Sequence, residues 1–256
     1  MDLSTLDHLA VIGAGFGAGV VAASVGVASL VSFPVLLALG LPPVTANASN
    51  TVGLVPGGLS GSFGYRRELR MHPRVTAAVV VTSAVGAVAG AVLLLALSPD
   101  VFESLVPWLI LFACLLVGFQ PVVARRLRER RTGPQEDRLL PSTPTTAALG
   151  AAGVYGGYFG AGQGVMVVAV LGLGLDIDLK VVNGLKTVAC LAANVVATVV
   201  FVVAADLDWT VIGLLGIGSV VGGYVGSRIG RLLPDALFRG LVVVGGSAAA
   251  IALMLT

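Results

Sequence analysis

Long apolar runs, separated by short clusters of charge and proline, organise this chain from end to end. They cover about residues 9–41, 44–65, 75–98, 102–124, 146–175, 179–205, 209–227 and 236–255. A helix needs about 20 apolar residues to cross a hydrocarbon core of about 30 Å. Seven or eight such spans would use about 160 residues, so the pattern predicts an all-α, polytopic membrane protein with short loops, one membrane domain over 1–256. The one substantial polar stretch, 125–143, carries Arg125, Arg126, Arg128, Arg130, Arg131 and Arg138 and divides the chain nearly in half.

The halves resemble each other. Gly26-Val27-Ala28-Ser29 aligns with Gly160-Ala161-Gly162-Gln163. Asn47-Ala48-Ser49-Asn50-Thr51-Val52 aligns with Asn183-Gly184-Leu185-Lys186-Thr187-Val188, and Ser98-Pro99-Asp100 with Leu233-Pro234-Asp235. The offset stays between 134 and 136. We read two copies of one four-segment unit, 8–124 and 144–255, joined by a basic cytoplasmic loop over 125–143. Internal duplication of this kind is common in transporters.

The first segment of each copy is too long. As straight helices, 9–41 and 146–175 would measure about 45–50 Å. Both are rich in glycine, and Pro34 adds a break in the first. Two half-helices joined by a glycine turn fit better, a backbone tolerated at membrane depth where it is buried in protein or lines a cavity. The alternative use of these glycines is close helix packing.

Composition narrows the class. The chain is 57% hydrophobic and 11% charged, against about 25% charged in soluble domains. So few charges cannot cover a soluble surface, which excludes an ordinary cytosolic enzyme, a disordered chain and a nucleic-acid binder. The acidic N-terminal residues lack the positive region of a secretory signal, so the first run is expected to stay in the mature protein. Cys114 and Cys190 lie in apolar runs and read as packing residues, and no metal or other cofactor is expected.

Charge placement tests the topology. Arg66, Arg67, Arg70 and Arg74 follow the second run and the arginine stretch follows the fourth, so both loops should be cytoplasmic. Asp100 and Glu103 lie between them, outside. If every run crossed once, Asp206 and Asp208 would be inside and Arg228 and Arg231 outside, against the rule. If the first run of each copy enters and leaves on the same side, both loops move to their expected sides and the second copy is inverted relative to the first, an inverted-repeat plan.

The second run of each copy carries polar residues at helical spacing. Asn47, Asn50 and Thr51 share one face, and Asn183, Lys186 and Thr187 repeat the pattern, with Asn194 three turns beyond Asn183. A lysine inside a span marks a pathway or a partner, unless it snorkels to the headgroups. The asparagines and threonines could equally bond neighbouring helices. Half-helix N-termini at the breaks, flanked by Ser29, Ser32 and Gln163, expose N–H groups that favour an anion, and Gly160 and Gly162 permit close approach. With no acid deep in any run, the set suits a small oxyanion better than a cation, and weakens proton coupling through a buried carboxylate. No Walker motif is present and both histidines sit at segment edges, so enzymatic or ATP-driven chemistry is unsupported. Small-residue faces suit a homodimer without requiring one.

The glycine segment leading to Phe33-Pro34-Val35-Leu36-Leu37-Ala38-Leu39-Gly40-Leu41-Pro42-Pro43, then Thr45-Ala46-Asn47 and Gly61 to Tyr65, resembles the TauE/SafE family of sulfite and organosulfur exporters. Gly156-Gly157-Tyr158-Phe159-Gly160-Ala161-Gly162-Gln163-Gly164 resembles its second glycine motif, and the likeness covers nearly the whole chain. It implies a multi-pass permease of the bacterial inner membrane that exports sulfite, sulfoacetate or related anions. The chain departs from the family at Val27-Ala28-Ser29, where consecutive glycines are frequent. A passive anion channel and a non-transporting scaffold are the competing readings.

Overall fold

The computed structural model describes residues 4–24, 27–130, 140–229 and 235–255. Gly26, Arg131, Arg138 and Arg231 of the reading above, and the Leu233-Pro234 part of its third repeat motif, lie outside them. All regular structure among the described residues is helical: α1 (Thr5–Ser24), α2 (Ser29–Ala38), α3 (Pro43–Gly64), α4 (Arg66–Met71), α5 (Pro73–Ala96), α6 (Pro99–Arg130), α7 (Thr143–Tyr158), α8 (Gln163–Gly174), α9 (Leu179–Ala204), α10 (Trp209–Ile229) and α11 (Asp235–Leu255). Among the described residues, five stretches are long and apolar enough to cross a membrane: Thr5–Ala22, Pro73–Ala96, Pro99–Leu127, Leu179–Ala204 and Trp209–Gly226. The protein is a multi-pass membrane protein.

Both over-long segments are broken. The first divides into α1 and α2, the second into α7 and α8. The first break falls between Ser24 and Ser29, not at Pro34, which sits inside α2. A proline within a membrane helix is tolerated when neighbouring groups absorb the freed carbonyl. The second break is made by Gly160 and Gly162, with φ of 79° and 81°, a region that side chains with a Cβ rarely adopt. The basic stretch also differs from a plain loop. Helix α6 continues through Arg130, and Arg125 reaches Glu129 one turn on, at 3.5 Å.

Helix sidedness here is a matter of size, not polarity. In α5, Val81, Val85, Val88 and Val92 are exposed, while Ser83, Gly86, Ala87, Gly90 and Ala91 are buried. Val85 is 67% exposed, and on α9 Val203 is 82% exposed. Large apolar side chains facing outward suit lipid, and small ones facing inward let helices approach closely.

The close approaches join the two halves. Helix α5 lies on α7: a methyl group on Gly90 would overlap the Val154 carbonyl, and one on Gly157 the Ala87 carbonyl. Helix α10 lies on α1 in the same manner, with Gly222 against Phe16 and Gly226 against Val20. The two contacts correspond residue for residue. Ser83 covers Gly153 and Ser219 covers Gly19, positions 136 and 134 residues apart. Most glycines of the long segments therefore serve helix packing, and Gly160 and Gly162 are the described ones among them that shape a break.

Contact order gives relative directions. Helix α3 meets α10 at Gly53–Leu215, Gly57–Ser219 and Ser60–Gly223, so these two run parallel. It meets α9 at Gly58–Leu191, Gly61–Thr187 and Tyr65–Gly184, so α3 and α9 run antiparallel. Helix α2 folds back along α1, with Val31 3.3 Å from a Cβ built on Gly17.

One ion pair ties α4 to the start of α9. Lys180 Nζ is 2.8 Å from Glu68 Oε1, and Glu68 is buried. The hydrogen bond and charge of Lys180 hold the Glu68 carboxyl below its usual range.

Gly90→Leu and Gly222→Leu should each cost about 3 kcal/mol or more by forcing backbones apart. Gly118→Ala, with nothing within 4 Å of the added carbon, should match or exceed the parent in a detergent thermal melt. The Glu68–Lys180 contribution should be complete above the unfolded carboxylate pKa, about 4.3, and disappear as pH falls through the lower folded value. Melting curves taken from neutral pH downward should show less acid sensitivity in Glu68→Gln than in the parent.

Candidate functional site

Helix α3 starts on Pro43 at its first turn, where a missing N–H costs nothing. Its first half then buries Asn47, Ser49, Asn50 and Thr51. Thr51 Oγ1 donates to the Asn47 carbonyl at 2.9 Å, and Thr187 Oγ1 to the Asn183 carbonyl at 2.8 Å, so the two copies share this local bond. Both threonines are thereby satisfied by their own helices.

The asparagines of α3 reach both breaks. Asn50 Oδ1 accepts from Ser32 Oγ on α2, and Asn47 Nδ2 donates to the Tyr158 carbonyl at 3.0 Å, where α7 ends. Asn47 and Asn50 are 1% and 0% exposed, and Asn47 Oδ1 and Asn50 Nδ2 have no hydrogen-bond partner among the described residues. A buried amide atom without a partner is costly, which makes it a natural point for a ligand or water to bind.

The second break is tightly held. Tyr155 Oη donates to the Ala161 carbonyl at 2.6 Å, and the Gly160 amide donates to the Tyr155 carbonyl at 3.0 Å. The Gln163 and Val165 amides are taken by the Gly160 and Gly162 carbonyls at 3.2 and 3.0 Å, so part of the expected N–H cradle is used within the turn. Gln163 is 2% exposed, its amide packs on Gly156, and its Nε2 has no protein partner. Phe33 stands edge-on to Phe159 at 5.3 Å and Phe102 edge-on to Tyr158 at 5.6 Å. These rings close the space around the break with apolar surface.

The remaining predicted residues lie elsewhere. Asn183, Lys186, Thr187 and Asn194 share one face of α9 and are half-buried. Lys186 makes no hydrogen bond or ion pair with a described residue. Thr187 lies against Gly61, 3.6 Å from a Cβ built there, and Gly61 is eleven residues beyond Asn50, about 16 Å along α3. The sequence placed the α3 and α9 sets in one site. The structure separates them into two groups at opposite ends of the α3–α9 pair, with Asn194 between, because equivalent helices that run antiparallel put equivalent residues at opposite ends. Ser29 begins α2, half-buried and without a side-chain hydrogen bond among the described residues.

Each group has its own electrostatic surroundings. Near Asn47 and Asn50, Ser49 Oγ accepts from the Asp208 amide at 3.0 Å, beside the acidic turn of Asp206 and Asp208. At the start of α9, which carries Lys186, Tyr65 packs on Gly184 and Lys180 pairs with Glu68. A separate groove of about 490 Å³ lies between the α1–α2 hairpin and α11, lined by residues such as Phe16, Val31, Pro34 and Val242. It is almost wholly apolar and holds none of the predicted residues.

Sequence reasoning missed Tyr155, Tyr158 and Ser49. The signal for the tyrosines was present: two hydroxyl-bearing rings around the glycine pair Gly156-Gly157, in a run with no other polar aromatic. Ser49 was hidden because its partner is 159 residues away.

Comparison with known proteins follows this geometry. A family model described as "Sulfite exporter TauE/SafE" matches residues 11–253. A Sinorhizobium protein named "Probable membrane transporter protein ORF9" is 28% identical over 94% of this chain and 90% of its own length. A Haemophilus influenzae "Probable membrane transporter protein" is 27% identical over 95% and 93%. "Probable membrane transporter protein YdhB" of Bacillus subtilis is 25% identical over 84% and 86%. No solved structure gives a significant match.

Asn47→Leu should leave the Tyr158 carbonyl unpaired and loosen the second break. The expected cost is about 1–2 kcal/mol. Hydrogen exchange should rise at Phe159–Gly162 while α5, held to α7 through Gly86 and Gly90, stays protected.

Proposed function

Because this chain belongs to the sulfite exporter TauE/SafE family of membrane transporters, we propose that it carries a small anion across the bacterial inner membrane by alternating access between two inverted repeats. The observation that carries this reading is the antiparallel crossing of α3 and α9. These helices hold matching positions, 136 residues apart, and they meet each other along their lengths. A two-fold relation that maps one onto an antiparallel partner has its axis across the helices, hence in the membrane plane. The matching α1–α10 and α5–α7 contacts support the same relation. Inverted repeats are a common basis of alternating access.

On this plan each α1–α2 and α7–α8 hairpin enters and leaves on one side. The basic α4 end of α3 faces the cytoplasm, and the acidic turn at Asp206 and Asp208 faces outward, as charge placement favours. The substrate class we favour is sulfite or an organosulfonate. Lys186 supplies positive charge at one end of the α3–α9 pair. Asn47, Asn50, Gln163, Asn183 and Asn194 supply neutral polar groups along the path, with Ser29, Thr51 and Thr187 beside them and Gly160 and Gly162 shaping the turn. The one buried acid among the described residues is Glu68, which lies outside the spans and is paired. A route with a fixed cation and no unpaired buried acid favours an anion over a cation.

Proteoliposomes supply the test. An imposed ion or pH gradient should drive accumulation of sulfite or a sulfonate above its equilibrium level, and failure under every gradient would leave only a passive pore. Lys186→Ala should reduce anion flux about tenfold or more, the scale expected for losing one charge contact, and Lys180→Ala much less. Equal effects would reduce Lys186 to a snorkelling residue. Single cysteines at the two termini should label from outside, and cytoplasmic labelling would defeat the inverted plan.

A further inference from the structure

We propose that α4 is a docking surface for the headgroups of acidic phospholipids. This short helix follows α3 and precedes the spanning helix α5, so it sits where the chain emerges from the bilayer. Its two faces differ sharply. Glu68 is buried and bound to Lys180 of α9 at 2.8 Å, which removes the only acid of the helix from its outer side. Arg66, Arg67 and Arg70, with Arg74 at the start of α5, are exposed, and none is in ion-pair contact with a described acid. The outer face thus presents four guanidinium groups within nine residues.

Apolar groups accompany them. Phe63, near the end of α3, and Met71, the last residue of α4, are 67% and 64% exposed. The Arg66 guanidinium lies 4.3 Å above the Phe63 ring and donates to the Phe63 carbonyl at 3.2 Å, so it is already oriented beside an exposed ring. Guanidinium forks match phosphate oxygens geometrically, and exposed Phe and Met beside a basic helix suit the boundary between headgroups and acyl chains. A free phosphate ion would satisfy the arginines and leave both apolar side chains in water. A lipid satisfies both, and basic residues beside a membrane are drawn to its anionic lipids. Through Glu68 and Lys180, the same helix is seated on α9, the helix that carries Lys186.

The test needs no knowledge of the transported anion. Full-length protein in neutral phosphatidylcholine nanodiscs or detergent is titrated with phosphatidylglycerol, and bound lipid is counted by native mass spectrometry. The parent should retain phosphatidylglycerol over phosphatidylcholine. Arg66→Gln/Arg67→Gln/Arg70→Gln should lower that preference about tenfold or more, while the corresponding triple lysine variant, which keeps the charge and loses the fork, falls between the two. Inorganic phosphate at millimolar concentration should not displace the lipid. Equal retention of the two lipids, an unchanged preference in the glutamine variant, or displacement by phosphate would overturn the proposal. If the glutamine variant fails to fold, single Arg66→Gln and Arg70→Gln variants are compared with Arg125→Gln/Arg126→Gln: a loss of preference in the α4 variants supports the proposal, and a loss confined to the α6 variant overturns it.

Discussion

In a bilayer, helices gain nothing by hiding apolar side chains from one another, because the lipid tails are as apolar as leucine. What remains is dispersion between closely fitting surfaces, which falls away with small gaps. The glycine faces of α5 and α7, and of α1 and α10, answer this constraint. Gly90 and Gly157 in one contact, Gly222 and Gly226 in the other, bring backbone against backbone. Each contact joins one copy of the repeat to the other. The two halves are therefore interlocked through both lateral contacts, and α3 packs against α9 and α10 of the second half.

A second constraint acts on the breaks. Backbone that leaves helical geometry within a membrane must find partners in protein. At the second break those partners are Tyr155 Oη, the Tyr155 carbonyl and Asn47 Nδ2. The last of these comes from the other repeat. An asparagine that reads as a substrate ligand thus has a structural bond on one atom and a free acceptor on the other. A buried amide serves the break better than a hydroxyl, which could already be satisfied by its own helix, as Thr51 is.

The two ends of the α3–α9 pair differ in charge. One carries the acidic turn bonded to Ser49, the other the arginines of α4 and the Glu68–Lys180 pair. Matching positions are not matched in chemistry: Asn50 in one copy corresponds to Lys186 in the other.

Membrane residence, helical structure and the breaking of the two over-long segments were legible in the sequence, because each is set by local composition and by distance along the chain. The polar stripes were legible for the same reason, since helical spacing alone places Asn47, Asn50 and Thr51 on one face. Three things were decided only in three dimensions. Most glycines proved to pack helices, since the same residue serves a turn or a close contact and only its φ and neighbours tell which. The two polar stripes proved to lie about 16 Å apart, because spacing within a helix carries no information on which way its partner runs. The partners of Ser49 and Asn47, 159 and 111 residues distant, were fixed by the interlocking of the repeats. Sequence determined each element and its faces, and tertiary packing determined which faces meet.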